Sequence, residues 1–463
     1  MAIIIPQEIK ENISEQEIAI FWFRRDLRLF DNAGLYHALC NKLPILPLFI
    51  FDSNILSDLE EKNDARVEFI HHALKQINEQ IIALNKGLLV TYGDPEEVWA
   101  RLVDDLNIKA VYTNHDFEPY AIQRDSAIRE LLSHRNISFY TFKDHVLFEK
   151  AEVVKDNGEP YTVFTPYSRK WKNKLMSGVP ENQMPDLAKS KYLQAFPSED
   201  HIDNFLTVGP VSMPSLFDIG FEKSGIDFPP SLVKRGLIKN YGQTRNFPAI
   251  NGTSKLGIHF RFGTISIREK ARNAIGLSDT YLNELIWRDF YAMILSWFPH
   301  VVGNPFRKKY ELIEWRNNEK EFEAWCAGKT GFPIVDAGMR ELNTTGYMHN
   351  RVRMIVASFL TKHLLIDWRW GEAYFAKKLL DFDLASNNGG WQWAAGCGTD
   401  AAPYFRVFNP YSQQTKFDKE FQYIKKWVPE YGSSDYPDPV VNHKAARERC
   451  LRVYKEGLDK ASV

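Results

Sequence analysis

The sequence contains little cysteine and no hydrophobic run long enough for a membrane. Its four cysteines, none of them spaced C-x-x-C, are Cys40, Cys326, Cys397 and Cys450. Thiols scattered in this way support neither a disulfide framework nor a cysteine zinc site. The N-terminus, MAIIIPQEIKENISEQE, lacks the basic and apolar regions of a leader, and no segment reaches roughly eighteen uninterrupted apolar residues. We therefore expect a cytoplasmic protein without membrane contact.

The chain also lacks an excess of charge of either sign. With 58 basic and 59 acidic residues its formal net charge is −1, so a polyanion would have to be held by a local basic patch. The 44% hydrophobic content excludes a disordered or fibrous protein. The twelve histidines show no H-E-x-x-H or comparable spacing, and no metal site is expected.

The first 150 residues alternate between two patterns. Short apolar or β-branched runs predict strands at 18–23, 45–51, 88–92, 110–113 and 138–142, and helical patterns lie between them at 65–84 and 124–132. This alternation predicts an α/β domain, residues 1–150, with a parallel, Rossmann-like sheet. No G-x-G-x-x-G follows the first strand, which argues against a dinucleotide-dependent dehydrogenase.

The rest of the chain changes character twice. Residues 151–215 are polar and rich in proline, which is typical of a long connector between domains. Within the connector the segment 161–167, YTVFTPY, is unusually aromatic, and we expect it to pack against another part of the protein. Residues 216–463 show helical periods and few strand signals, which predicts an all-α domain.

The densest group of candidate binding residues lies at 379–410. Asp381 and Asp383 precede the sequence Asn387-Asn388-Gly389-Gly390, and tryptophans follow at 391 and 393. Asparagine and glycine are poor residues for a helix interior, and glycine allows a bulky ligand to approach the backbone closely. We predict a binding loop here; the alternative is a simple turn between two helices.

Three further segments contain candidate binding residues. Thr253, Ser254 and Lys255 precede a helical pattern and could hold a diphosphate at a helix N-terminus, the alternative being a plain Ser/Thr N-cap. On the helix after 281, one face carries a carboxylate, two aromatic rings and a guanidinium, which suits a nucleobase. The alternative is a core stripe with a paired acid and arginine. Arg351 and Arg353 should diverge, one toward Asp381 or Asp383 and the other toward a phosphate.

Together these motifs resemble the photolyase/cryptochrome family. The block 328–410 is similar to that family's flavin-binding core, and FWFRRDLRLFDN near the start and YTVFTPYSRKW in the connector are similar to it as well. The resemblance spans nearly the whole chain. It implies an N-terminal α/β antenna domain, a connector and an all-α domain that holds FAD. Within the family the greatest similarity is to bacterial class I cyclobutane pyrimidine dimer photolyases, because Asn387 stands where plant cryptochromes carry Asp and animal cryptochromes carry Cys.

The same resemblance implies roles for individual residues. The FAD-binding set would be Tyr241, Thr253, Ser254, Lys255, Leu256, Gly257, Arg353, Asp381, Phe382, Asp383 and Asn387. Gly257 departs from the serine common there, and Arg353 would pair with Asp381. The catalytic set would be Glu284, Trp287, Met354, Asn387 and Trp393. Electrons would travel through Trp315, Trp368 and Trp391. The DNA-binding set would be Arg245, Glu284, Trp287, Arg288, Tyr291, Asn350, Arg351, Arg406 and Gln413.

The function implied is light-driven DNA repair. Reduced FADH− would donate an electron to a flipped-out pyrimidine dimer in UV-damaged DNA, and Glu284 would stabilise the charge that develops there. The alternative within the family is a blue-light signalling cryptochrome. A nucleotide-dependent transferase would need a phosphate-binding signature after the first strand, and none is present. A second, antenna chromophore is implied, but the sequence leaves open a folate, a deazaflavin, a flavin or none. We expect a monomer.

Overall fold

The computed structural model describes residue 13, residues 15–209 and residues 211–461. The chain divides into two compact units. The first consists of Met1–Glu149, Lys174–Ser231 and Leu256–Ile275, and the second of Lys150–Asn173, Leu232–Lys255 and Gly276–Val463. The domain limits predicted at 150 and 215 stay a prediction, and most of the N-terminal segment predicted to lack a leader lies outside the described residues.

The first unit is built on a five-stranded sheet. All neighbouring strands pair in parallel, in the order β3-β2-β1-β4-β5. The strands are β1 (Ile18–Phe23), β2 (Ile45–Asp52), β3 (Leu89–Gly93), β4 (Ile108–Asn114) and β5 (Ser138–Phe142). β1 and β2 are buried along their whole length, as expected for a sheet covered on both faces. The predicted parallel sheet is confirmed, and β4 is longer than predicted.

Five helices connect the strands of this sheet. They are α1 (Ala33–Leu39), α2 (Ser53–Leu56), α3 (Ala65–Ile82), α4 (Pro95–Asp105) and α5 (Pro119–His134). The first four begin after an Asn or Asp whose side chain accepts a hydrogen bond from a first-turn N–H group, and α4 and α5 begin at proline. The predicted helix at 124–132 is therefore the middle of a longer one that starts at Pro119.

The remaining chain is helical, and it contains no strand among its described residues after 215. The helices are α6 (Phe164–Ser177), α7 (Arg235–Thr244), α8 (Gly257–Arg261), α9 (Ile267–Ala274), α10 (Asp279–Trp297), α11 (Glu319–Cys326), α12 (Pro333–Thr345), α13 (Asn350–Ser358), α14 (Trp368–Lys378), α15 (Leu384–Ala395), α16 (Pro410–Phe417), α17 (Gln422–Trp427) and α18 (His443–Lys460). The predicted all-α region is confirmed. Within the described residues no helix is both long and apolar enough to span a bilayer.

The core of the second unit lies around α12, α13 and α15. Trp325, Phe332 and Leu360 are fully buried there, and α13 continues into a π-helical segment, Phe359–Leu364. A π-helical segment widens the backbone locally and ends here at Leu365 in the left-handed region. These packed helices form the scaffold for the polar residues of the candidate site.

Candidate functional site

The Asn-Asn-Gly-Gly sequence lies inside α15, so the predicted loop conformation is wrong, and so is the alternative of a turn. The binding role predicted for this segment stays a prediction. Asp383 caps the helix by accepting a hydrogen bond from the Ser386 N–H, and Gly396 ends it in the left-handed region. Gly389 is required by packing, because a Cβ there would lie 2.2 Å from Cε1 of Tyr291 on α10. Tertiary packing overrides the low helix propensity of these residues.

The two asparagines of α15 have different environments. Asn388 is buried and donates a hydrogen bond of 2.9 Å to the Val301 carbonyl, which makes it part of the scaffold. Asn387 donates to the Glu372 side chain at 3.0 Å and to the Glu372 carbonyl at 3.2 Å. Burial raises the pKa of Glu372. Sequence reasoning missed Glu372, whose only signal was an acid on a helix otherwise rich in aromatic residues.

Three polar residues of the predicted diphosphate site come together with tyrosines. The Thr253 hydroxyl lies 3.2 Å from the Tyr347 hydroxyl, and the Tyr281 hydroxyl donates to the Ser254 hydroxyl at 3.2 Å. The Lys255 ammonium lies 4.8 Å from the centre of the Tyr347 ring. Hydroxyls and one ammonium at a single corner suit an anionic diphosphate.

The plain N-cap proposed as the alternative for this segment is wrong. The N-cap of α8 is Leu256, which makes no side-chain capping bond, and the helix begins at Gly257. Leu256 and Gly257 belong to the first compact unit, whereas Thr253, Ser254 and Lys255 belong to the second. Tyr241, the remaining member of the predicted set, packs edge-on to Tyr281 at 5.1 Å.

A buried histidine lies close to this corner. His349 is 3% exposed, and its Nε2 has no hydrogen-bond partner within the part of the chain that the structure describes. Burial and the nearby cations Arg353, Arg351 and Lys255 lower the pKa of His349 to about 4. A neutral imidazole with an unused polar atom fits a polar ligand group. His349 was not predicted from the sequence, because the histidines were considered only for the spacing of a metal site.

The predicted divergence of the two arginines on α13 is observed. Arg353 forms an ion pair with Asp381, with distances of 2.9 and 3.0 Å from Nη2 to the carboxylate oxygens. Arg351 donates to the Asn246 side chain at 2.8 Å, and its guanidinium lies 4.5 Å from the centre of the Phe417 ring. Of the other residues predicted there, Asp383 caps α15, Phe382 packs against the core, and Met354 has its sulfur 3.5 Å from Arg351 Nη1.

The polar face predicted on α10 exists: Glu284, Trp287 and Arg288 are half-buried, and Tyr291 of the same face packs against Gly389 of α15. The opposite face, with Leu282, Leu285, Ile286 and Met293, is buried. Glu284 forms an ion pair with Arg245, in which each side chain keeps about a third of its exposure. Burial raises the pKa of Glu284, and Arg245 opposes that shift. The acid therefore pairs with an arginine from another segment of the chain.

The tryptophan of this face is held by other aromatic rings. Trp287 stacks on Phe164 with 3.7 Å between ring centroids and 3° between the planes, and it contacts Phe290 edge-on at 5.6 Å. Phe164 belongs to the aromatic connector segment. The second predicted pocket tryptophan, Trp393, contacts Phe408 at 6.5 Å. Among the described residues no ring contact joins Trp287 to Trp393.

Of the three tryptophans predicted to carry electrons, Trp391 and Trp315 contact other aromatic rings. Trp391 lies edge-on to Phe375 at 5.0 Å, and Gly371 makes room for it, because a Cβ there would lie 2.1 Å from the indole. Trp368 is buried, and Trp315 lies edge-on to Tyr454 at 5.9 Å. No direct ring contact links the three within the described chain, so the electron path stays a prediction.

The remaining members of the predicted DNA-binding set lie on separate elements. Asn350 is exposed at the start of α13, Arg406 is exposed in the loop before α16, and Gln413 is half-buried on α16. Their shared role stays a prediction. Among the described residues no group of three or more potential metal ligands occurs.

A small polar cavity of about 10 Å³ lies at the carboxyl ends of β1 and β4 in the first unit. Its lining includes Arg24 and Arg25, the arginines that follow the first strand. Arg24 pairs with Asp125, and Arg25 pairs with Glu118 at 2.8 Å. These ion pairs give both arginines a structural role.

Comparison with known proteins identifies the relatives of the chain. Residues 19–186 match the family model for DNA photolyase, and residues 281–434 match the model for the FAD binding domain of DNA photolyase. A protein of Halobacterium salinarum named deoxyribodipyrimidine photo-lyase is 36% identical over 94% of this chain and 98% of its own.

Two solved structures resemble the chain over nearly its whole length. A bacterial class III photolyase of Agrobacterium tumefaciens is 32% identical with a TM-score of 0.78, and the similarity covers 96% of this chain and 98% of that one. An archaeal photolyase of Sulfolobus tokodaii, solved with two FAD molecules, is 34% identical with a TM-score of 0.78 over 95% of this chain and 100% of that one.

Proposed function

The chain belongs to the DNA photolyase family, and from this premise we propose that it uses light to split cyclobutane pyrimidine dimers in damaged DNA. It is a carbon–carbon lyase with FAD as its cofactor. The observation that carries the proposal is the polar face of α10. Glu284 and Trp287 lie there on the helix that packs against Gly389 of α15, and α15 also carries Asn387.

The residues around the FAD have separable tasks in this proposal. When bound and reduced, FAD supplies the light absorption and the electron that opens the dimer. Thr253, Ser254 and Lys255 hold its diphosphate with hydroxyl donors and an ammonium. The Arg353–Asp381 pair fixes a carboxylate beside the cofactor, and the Glu372 bond to Asn387 fixes the orientation of that amide.

The residues of α10 act on the dimer. A dimer is already poorly stacked in DNA, so its extrusion costs less than that of an intact pair. Trp287 then offers a flat indole on which the extruded bases stack. Because burial raises the pKa of Glu284, its carboxyl group keeps a proton to higher pH and can donate a hydrogen bond to a pyrimidine carbonyl as charge develops.

A second chromophore belongs to the proposal as well. The Sulfolobus relative carries two FAD molecules, which supports an antenna in this chain without fixing its identity. The absorption spectrum of the purified protein would distinguish a folate, a deazaflavin and a second flavin. DNA binding, a monomeric state and a cytoplasmic location stay predictions from the sequence.

The proposal is tested by measuring repair of defined lesions. Reduced protein would be incubated with oligonucleotides that carry a thymine cyclobutane dimer, a six-four photoproduct or no lesion, under blue light and in darkness. We expect loss of the cyclobutane dimer in light only. A protein that binds FAD but repairs no lesion would contradict the proposal and favour a signalling cryptochrome.

A further inference from the structure

One face of the Trp287 indole is covered by Phe164. The two rings are stacked in nearly parallel planes, with 3.7 Å between centroids and 3° between planes, which is closer than the other ring contacts of Trp287. A covered face cannot stack on a base. Trp287 therefore has only the opposite face available for a flat ligand. Phe290 contacts the indole edge-on at 5.6 Å, and Tyr291 lies 5.4 Å away with its ring tilted by 31°.

Phe164 is itself held from two directions. It is the first residue of α6, and its backbone N–H opposes the rise that burial causes in the pKa of Asp400, in the loop after α15. Asp400 has a φ of 47°, in the left-handed region that non-glycine residues rarely adopt. Phe164 also contacts Phe290 of α10 edge-on at 6.0 Å.

Two residues in the middle of α6 bind acidic residues of α10. Trp171 donates from its indole nitrogen to the buried Asp289 carboxylate at 2.9 Å, and Lys172 pairs with Asp279 at 2.5 Å. Because these bonds are made by other residues of α6, they hold α6 against α10 independently of the Phe164 ring. Replacing the ring therefore alters the stack and leaves the helix contact in place.

From this arrangement we propose that Phe164 is a positioning residue for dimer recognition, acting through Trp287. It holds the indole in one plane and presents a single face to the extruded dimer. An indole that is free to rotate loses conformational entropy when it stacks on DNA. An indole that Phe164 already holds in place loses less conformational entropy on binding. The inference rests on the proposed function of Trp287 and assigns to the aromatic connector segment a part in lesion recognition.

A purely structural role for Phe164 predicts a different result. It requires apolar volume at this position and would be satisfied by leucine, which fills similar space without a flat ring. The positioning role requires the flat ring, so tyrosine would satisfy it and leucine would not. The two substitutions therefore separate volume from stacking.

The test measures binding of dimer-containing and undamaged oligonucleotides by fluorescence anisotropy. Phe164→Leu, Phe164→Tyr, Trp287→Ala and the double variant Phe164→Leu/Trp287→Ala would be compared with the unsubstituted protein. Val163→Ala serves as a neighbouring control, since Val163 is exposed. FAD content and its photoreduction in each variant show whether the fold is retained.

We expect Phe164→Leu to weaken dimer binding about fivefold, within the range that aromatic pair energies imply, with binding of undamaged DNA unchanged. Phe164→Tyr should restore affinity to within about twofold, and Phe164→Leu should have no further effect once Trp287 is alanine. Unchanged dimer affinity in Phe164→Leu, or an equal loss with and without Trp287, would overturn the inference. If the unsubstituted protein does not prefer dimers, the proposed function fails and this inference fails with it.

Discussion

Glu284 lies on α10 with its carboxylate paired to Arg245 and its pKa raised by burial. An acid that is neutralised by burial can donate a hydrogen bond, whereas an ionised one can only accept. The charge of Arg245 opposes this rise in the pKa of Glu284. Both side chains stay about one-third exposed, so the carboxyl group is accessible to an incoming pyrimidine carbonyl.

Replacing Glu284 should separate repair from cofactor binding. Glu284→Ala removes the group placed to stabilise charge on the dimer, and we expect the repair yield per absorbed photon to fall about tenfold or more. FAD content should stay unchanged, because no FAD-binding residue proposed here contacts this carboxylate. The exposed Glu448 on α18 provides a matched control, and Glu448→Ala should repair normally. An unchanged yield in Glu284→Ala would refute the assignment.

Single residues were predictable from the sequence where the chemistry is local. The Arg353–Asp381 pair follows from two arginines that must diverge on one helix and an acid placed to receive one of them. The Trp287–Phe164 stack and the Asn387–Glu372 bond were not predictable. Phe164 is separated from Trp287 by more than a hundred positions, and nothing in its neighbours indicates which ring it will meet.

Among the secondary structure elements, α15 shows how packing can select residues that disfavour a helix. Its low propensity led to the prediction of a loop, but its cap at Asp383 and its close contact with α10 hold it helical. Gly389 allows that contact because it has no side chain. From the sequence alone, glycine is expected to destabilise a helix. The sequence does not show that Tyr291 packs against this position and leaves no room for a side chain.

Adding one methyl group at this contact should destabilise the second unit. In Gly389→Ala the new Cβ would lie 2.2 Å from Tyr291 Cε1, and overpacking of this kind costs about 1 to 3 kcal/mol. We expect the melting temperature, followed by tryptophan fluorescence, to fall by several degrees. Gly236→Ala on α7 meets no atom within 4 Å and should leave the melting temperature unchanged or slightly raised. Equal effects of the two substitutions would contradict the packing argument.

The π-helical segment after α13 contains a buried histidine that should make stability depend on pH. Burial, together with His443 and Arg449, lowers the pKa of His363 to about 3. In the unfolded chain the pKa of histidine is near 6.5. Between these values the unfolded chain binds a proton that the folded protein does not, so stability is full above about pH 6.5 and falls as pH decreases.

Removing this histidine should weaken the acid dependence. We expect His363→Phe, which keeps an aromatic ring beside Phe359, to reduce the loss of unfolding free energy between pH 6.5 and 5 by up to about 1.4 kcal/mol per pH unit. Denaturant unfolding at several pH values measures this slope. The exposed His134 on α5 is a control, and His134→Phe should leave the slope unchanged. An identical slope in His363→Phe and the unsubstituted protein would contradict the burial argument.

For the molecule as a whole, a net charge of −1 means that any DNA must be held by a local concentration of cations. Burial lowers the pKa of Arg351, and the positive charge of Arg245 lowers it further, so the two guanidinium groups interact. Arg245 and Arg351 therefore contribute to such a local concentration of cations. Binding through such a patch releases counterions from DNA and depends on salt concentration.

We therefore expect affinity for dimer-containing duplex to fall steeply between about 50 and 200 mM salt. Arg351→Ala should weaken binding and reduce the slope of log affinity against log salt by about one, because one phosphate contact is lost. Lys455→Ala, an exposed cation on α18, should leave the slope unchanged. Affinity that is insensitive to salt would rule out a phosphate-binding patch.

The overall architecture was largely predictable from the sequence. All five strands of the parallel sheet and the all-helical character after residue 215 follow from the hydrophobic periods of the chain. The composition of the two compact units was not predictable, because Leu256–Ile275 belongs to the first unit although its helical pattern resembles the region around it. Local hydrophobic periodicity indicates whether an element is a helix or a strand. It does not indicate which hydrophobic core that element packs into.

The most direct test of light-driven repair through FAD is an action spectrum. Dimer loss per incident photon would be measured with reduced protein at wavelengths from the near ultraviolet to the green and compared with the absorption of its bound chromophores. We predict that repair follows the absorption of reduced FAD, together with that of any antenna, and is absent in darkness. Repair that proceeds in darkness, or that does not follow the absorption of the bound chromophores, would contradict the proposed function.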